Sequence, residues 1–262
     1  IGKEKLDVKI DYPDEGFTIE EDELKDNADK LVEEFKYIEN VPVGYSLYEN
    51  KTTAVMGERH KVINFVHNII LQLLTFYSYE DIKLAVFTNE NNKDSFSYLR
   101  YLKHTFTNDM NFRFFATDLD STKNVAEYLS LIANQRINMK DNGNSPFKPH
   151  YIIIVDDLDM LKRYDLIKTI TETDENIGFS LLIIENRLSK LPSKCNNFIT
   201  VADNNSGILK NSYEKQEQTA FADEINYNID MLQITKILSN IPIEFEDGLK
   251  ELPNMITFLE ME

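Results

Sequence analysis

Cysteine is almost missing. Cys195 stands alone among 262 residues, so no internal disulfide can form and packing must hold the fold. No apolar run approaches the roughly 18 residues that a membrane-spanning helix requires. A signal peptide and an initiator Met are both lacking, and the chain starts and stops in mid-pattern, which reads as a piece of a larger protein. The four histidines, His60, His67, His104 and His150, include no pair at the i, i+4 spacing of a helical zinc site. Neither Gly-x-Ser-x-Gly nor Gly-x-Gly-x-x-Gly occurs. Basic residues are scarce, 28 against 45 acidic, for a formal charge of −17. Such a surface repels phosphate backbones, so nucleic acid is an unsuitable partner.

What is present is a chain large enough for a substantial core, with 42% hydrophobic residues. Its centre is His150-Tyr151-Ile152-Ile153-Ile154-Val155-Asp156-Asp157-Leu158-Asp159. Five consecutive apolar residues, mostly β-branched and without alternation, describe a strand buried on both faces of a parallel sheet. It ends in two carboxylates, and ligands of open α/β sheets gather at that edge. A strand of this kind has the form of a Walker B segment, in which Asp156 would help hold Mg²⁺ and Asp157 would orient the attacking water. The alternative is that the pair only ends the strand and caps the next helix. Asp159 adds a third acid, and without a cation the cluster would be mildly repulsive.

Residues 52–56 form a second short strand, residues 57–61 a tight loop, and the apolar positions Val62, Phe65, Val66, Ile69, Ile70, Leu73 and Leu74 a periodic helix. Strand, Gly-bearing loop and helix is the layout of a phosphate-binding loop. The loop chemistry is deficient. A functional loop reads Gly-x-x-x-x-Gly-Lys-Ser/Thr. With Lys61 as its lysine, Val55, His60 and Val62 occupy the first Gly, second Gly and hydroxyl positions. With Gly57 first, Ile63 falls on the lysine. Glu58 would also set a negative charge beside bound phosphates. The helix N-terminus still favours anions, so Gly57 and Lys61 remain candidate nucleotide contacts.

Elsewhere, residues 6–10 read as a half-buried strand, with a turn at Pro13, Asp14 and Gly16, and residues 19–36 as an acidic amphipathic helix laid on or linking to a larger body. Strands are expected at 82–87, 112–116 and 179–184, with edge strands at 196–202 and 208–210 and a last one at 255–259. Helices are expected at 95–104, from about 120 to 139, at 158–171 and at 223–239, and a loop at 139–149. Asn186 and Arg187, just after the 179–184 strand, are candidates for sensing a γ-phosphate; a solvated strand end is the alternative. Alternation of strands and helices predicts an α/β fold, a mostly parallel sheet with helices on both faces. The division expected is an N-terminal strand and helix over 1–40 and a core over 41–262.

The order of these motifs resembles the FtsK/SpoIIIE-type ATPases of type VII secretion systems, and more narrowly the membrane-proximal, degenerate ATPase domain of their Gram-positive coupling protein. The resemblance rests on Val41-Pro42-Val43-Gly44, Phe112-Arg113-Phe114, Asn134-Gln135-Arg136-Ile137, residues 151–161, residues 182–187 and Leu252-Pro253-Asn254-Met255-Ile256-Thr257-Phe258-Leu259. It implies a P-loop NTPase-like fold of the RecA/FtsK type, on the cytoplasmic side of a bacterial membrane protein. It implies a hexameric motor with several ATPase modules in series that exports small helical WXG100-type proteins, a virulence-associated activity. The partners implied are the downstream modules, other subunits of the secretion machine and the secreted substrates. ATP and Mg²⁺ are the only cofactors implied. The lost loop positions, and Asp157 where the family carries Glu, argue that this module is a structural and regulatory link; the alternatives are a divergent ATPase using Lys61 and Asp156, or a DNA translocase module, which the charge disfavours.

Overall fold

The computed structural model describes residues 1–10, 23–139, 147–202, 206–211, 216–223 and 229–241. The turn at Pro13–Gly16, nearly all of the 139–149 loop and the strand expected at 255–259 lie outside them. In chain order the elements are β1 (Gly2–Asp7), α1 (Glu23–Glu34), β2 (Tyr37–Val43), β3 (Thr52–Gly57), α2 (Arg59–Phe76), β4 (Ile82–Phe87), β5 (Phe115–Ala116), α3 (Leu119–Met139), β6 (His150–Val155), α4 (Leu166–Glu172), β7 (Phe179–Ile184), β8 (Asn197–Val201), β9 (Ser206–Asn211), β10 (Gln216–Asp223) and α5 (Met231–Ser239).

One ten-stranded sheet runs in the order β2-β1-β10-β9-β8-β3-β7-β6-β4-β5. From β8 to β5 all neighbours are parallel; β9, β10, β1 and β2 extend the sheet antiparallel. Pleating divides the apolar runs between two cores. Ile152 and Ile154 of β6, Leu84 and Val86 of β4 and Leu182 of β7 meet Val62, Val66 and Ile70 of α2. Ile153 and Val155, Ala85 and Phe87, and Leu181 and Ile183 face the other way, onto Val125, Leu129 and Ala133 of α3 and Leu166 and Ile170 of α4. A strand apolar at every position is therefore satisfied on both faces. This is the mostly parallel α/β architecture that the pattern predicts, and the P-loop NTPase-like fold that the resemblance implies. Phe87 pairs with Val155, Val155 with Ile183, and Val55 with Ile184, so these strands end at one edge.

Several boundaries differ from expectation. The first strand lies at Gly2–Asp7, where β2 and β10 supply its partners. The helix expected at 95–104 is three short 3₁₀ turns, Lys93–Ser95, Ser97–Tyr101 and Lys103–Thr105. Its buried Phe96, Leu99 and Leu102 recur every third residue, the period of that helix. The 112–116 strand shrinks to Phe115–Ala116, and the 158–171 helix divides into a 3₁₀ turn, Leu158–Leu161, and α4. β8 and β9 are interior strands, because β10, unrecognised in the sequence, covers β9. Leu31 of α1 and Phe35, just past its end, are 54% and 58% exposed.

At the edge opposite the strand ends, Arg136 of α3 is buried. Its guanidinium donates to Ile177 O (3.1 Å), Gly178 O (3.0 Å) and Pro149 O (2.7 Å), and lies over the rings of Phe147, Tyr151 and Phe179. Gly178, at φ +81°, makes the room, since a Cβ there would come within 2.2 Å of Arg136 Nη1. One fork thus joins α3 to the starts of β6 and β7.

His150 opens β6 in the same region. The Ser180 hydroxyl donates its one proton to Leu47 O (2.7 Å), so His150 Nε2, 2.8 Å from Ser180 Oγ, donates to it. Burial first, then the Arg136 charge, push the imidazole down to about 4 from 6.5. A histidine held neutral stabilises the fold above its unfolded pKa and loses that stabilisation as pH falls toward the folded value. Unfolding free energy should therefore drop by about 2–3 kcal/mol between pH 6.5 and 4 on this account alone. Burial lowers His67 and His104 too, adding in the same sense. Urea unfolding across this range should show a shallower pH dependence in His150→Gln than in the native chain; equal slopes would contradict the assignment.

Candidate functional site

β3 ends at Gly57, whose φ of +145° lies outside the range L side chains readily adopt. A Cβ there would stand 2.4 Å from Val201 O. The Asn186 side chain holds both backbone groups of this glycine: it accepts from Gly57 N (2.8 Å) and donates to Gly57 O (2.9 Å). One residue, Glu58, then separates β3 from α2. Its side chain does not cap the helix. Instead the carboxylate lies 3.1 Å from His60 Nδ1 and 3.3 Å from Lys61 Nζ, so an internal anion sits beside the N-terminus of α2. That is where the helix dipole favours negative charge.

Asp156 follows β6, and its side chain is fully buried. Arg59, the first residue of α2, grips it with both prongs: Nη1 to Oδ1 at 2.8 Å and Nη2 to Oδ2 at 3.1 Å. Thr88, just after β4, donates its hydroxyl to Oδ2 at 2.7 Å. A bidentate, charge-assisted pair is among the stronger polar contacts a protein makes. The Arg59 side chain is 44% exposed, so the pair closes the buried carboxylate off from solvent with a half-solvated cation.

The neighbouring acids are held separately. Asp157 accepts from Asn89 Nδ2 at 2.8 Å and from the backbone of Asp159 at 3.0 Å, capping the 3₁₀ turn. Asp159 pairs with Lys162 (2.5 Å) and Lys190 (2.6 Å), whose hydrogen bonds draw its carboxyl down to about 2. Arg187 has a largely exposed side chain and turns back on Glu185, with Nε 3.3 Å and its own backbone N–H 3.0 Å from Oε1. The structure thus brings Gly57, Asn186 and Asp156 to one edge. Lys61 lies one turn into α2, against Glu58, and the acidic cluster resolves into individually paired groups.

These residues do not fit Mg-ATP. A phosphate cradle requires several consecutive backbone N–H groups in a concave loop, and a single residue cannot form one. Val62 has no hydroxyl to offer a metal, and the carboxylate that would hold Mg²⁺ is engaged by a guanidinium. Arg59, Thr88 and Asn89 were not legible as site residues. The available signal was indirect: a buried carboxylate at a strand end demands a cation, and Arg59 opens the helix that packs over the same strands.

No protein-family model matches the chain. It is homologous to type VII secretion ATPases. It is 26% identical to the type VII secretion system protein EssC of Staphylococcus aureus over 258 residues, which cover 97% of this chain and 17% of that protein. It is 17% identical to the ESX secretion system protein EccC of Geobacillus thermodenitrificans over 241 residues, covering 92% and 16%. The chain therefore spans about a sixth of these relatives. In fold it is similar to a structure of ATPases 2 and 3 of Geobacillus thermodenitrificans EssC, with a TM-score of 0.55, 12% identity, and coverage of 84% of this chain and 48% of that one. The cytoplasmic domain of the type VII secretion ATPase EccC of Thermomonospora curvata gives 0.55 and 12%, covering 78% and 30%. Among the described residues no helix is long and apolar enough to cross a membrane.

Removing Arg59 leaves a buried carboxylate without its cation. Arg59→Ala should cost about 2–3 kcal/mol of stability, reduced from the fully buried case by its partial exposure. Lys61→Ala, which takes away the partner of a largely exposed Glu58 carboxylate and leaves no buried charge unpaired, should cost less. Chemical denaturation of the two variants checks the ranking, and a larger loss in Lys61→Ala would reverse the assignment.

Proposed function

We propose that this chain is an ATPase-fold module of a type VII secretion coupling protein that has given up nucleotide chemistry and serves as a structural and regulatory link. The observation that carries the reading is the Arg59 fork on Asp156, a side chain of the protein standing where a divalent cation would be needed. The single-residue β3–α2 connection and the Glu58 carboxylate beside the helix N-terminus support it. Homology to EssC and EccC supplies the setting.

In this reading the parent is a membrane-anchored, ATP-driven export motor whose other modules hydrolyse ATP. This module passes force and alignment between the membrane side and those modules, and the substrates are small helical proteins of the WXG100 type. The ten-stranded sheet, braced at one edge by Arg136 and at the other by Arg59, suits a rigid coupling element.

The reading predicts that phosphate release from Mg-ATP by the isolated chain stays at the buffer background and is unchanged by Asp156→Asn with Asp157→Asn. Turnover above background that Lys61→Ala abolishes would establish instead a divergent ATPase with Lys61 and Asp156 at its centre.

A further inference from the structure

On a chain of net charge −17, one groove is basic. It lies between α4 and residues 188–194, has a volume of about 380 Å³, and is lined by Lys162, Lys168, Lys190 and Lys194 with Glu172 as its one carboxylate. Ile167 and Pro192 contribute apolar wall. Lys162 and Lys190 share Asp159. Among the described residues Lys168 and Lys194 make no ion pair, and both are exposed. Lys190 also lies 3.8 Å from Glu185, and Lys194 donates to Glu172 O at 3.4 Å, so the groove keeps an excess of lysines over carboxylates beside apolar surface.

A complementary surface exists on the same chain. Helix α1 carries five acids, Glu23, Asp26, Asp29, Glu33 and Glu34, against two lysines. Leu31 and, just past its end, Phe35 stand at i, i+4 and are more than half exposed. An acidic helix with an uncovered apolar pair is what a lysine-rimmed groove with apolar walls can bind. Its own groove is out of reach. Helix α1 adjoins β2 at the sheet edge and α4 packs near β7, six strand spacings or about 29 Å along the sheet.

We propose that the Lys168–Lys194 groove receives the α1 helix of a second copy of this chain, with Leu31 and Phe35 against Ile167 and Pro192 and the acids of α1 among the lysines. Two different surfaces meet, so the contact is head-to-tail and propagates, closing into a ring or running on as a filament. The lysines give orientation and salt sensitivity, and the apolar pair gives the short-range attraction.

Sedimentation velocity of the full 262-residue chain over a concentration series tests this. Self-association is expected at low salt and should weaken roughly tenfold at about 0.5 M salt, where the Debye length falls to a few ångströms. Lys168→Glu with Lys194→Glu should weaken it by roughly tenfold or more, as should Leu31→Ser with Phe35→Ser. All four positions are exposed, and circular dichroism checks that the variants remain folded. Mixing the Lys168→Glu, Lys194→Glu chain with a Glu33→Lys, Glu34→Lys chain should restore association between the two. A chain that stays monomeric at every concentration overturns the proposal, as does association that neither pair of substitutions alters.

Discussion

A carboxylate buried at the end of the central strand must have a cation, and in this protein the cation is Arg59. Asp156 stands with no exposed side-chain surface, where an unpaired charge would cost several kcal/mol. Its position follows from the sheet: β6 is apolar on both faces and delivers its next residue to the edge beside Thr88. The partner must then come from α2, the helix that packs over the same strands. For its fork to reach Asp156, Arg59 has to lie in the first turn, directly after β3. That requirement leaves one residue between strand and helix. The absent phosphate loop and the arginine bridge are thus two aspects of one geometry.

The other groups at this edge are likewise satisfied from within. Glu58 places an anion beside the N-terminus of α2, Asn186 closes on both backbone groups of Gly57, and Asp157 serves the turn that follows it. At the opposite edge the Arg136 fork gathers three carbonyls and three aromatic rings. Strand ends in open α/β sheets are ordinarily where ligands bind and elements move. With guanidinium groups bridging elements at both edges, the sheet is braced in the way the proposed linking role needs.

The central strands were legible in the sequence because burial on both faces leaves a clear mark: 151–155 is apolar throughout, and 82–87 and 179–184 are interrupted only by Lys83 and Ser180. The departure from the phosphate-loop pattern was equally plain, since the residues at 55, 60, 62 and 63 are not those the motif carries. Segment 95–104 misled because apolar residues three apart suit an α-helix nearly as well as 3₁₀ turns; only the packing of Phe96, Leu99 and Leu102 decides. β8 and β9 read as edge strands because β10, which covers β9, is polar in sequence; among its described side chains Phe221 is the one buried. Arg59 was invisible for a different reason. Its partner lies 97 residues away, and no local periodicity or spacing encodes a pair formed only when two strand ends meet.

The most direct measurement is equilibrium binding of a fluorescent ATP analogue to the chain, followed by anisotropy with and without Mg²⁺. An Asp156 already neutralised by Arg59 predicts no saturable, Mg²⁺-dependent binding up to about 1 mM, the regime in which binding contributes less than roughly 4 kcal/mol. Saturation at micromolar analogue that requires Mg²⁺ and disappears in Asp156→Asn would mean that the arginine yields to the metal, and the account of a site closed by its own side chains would fail.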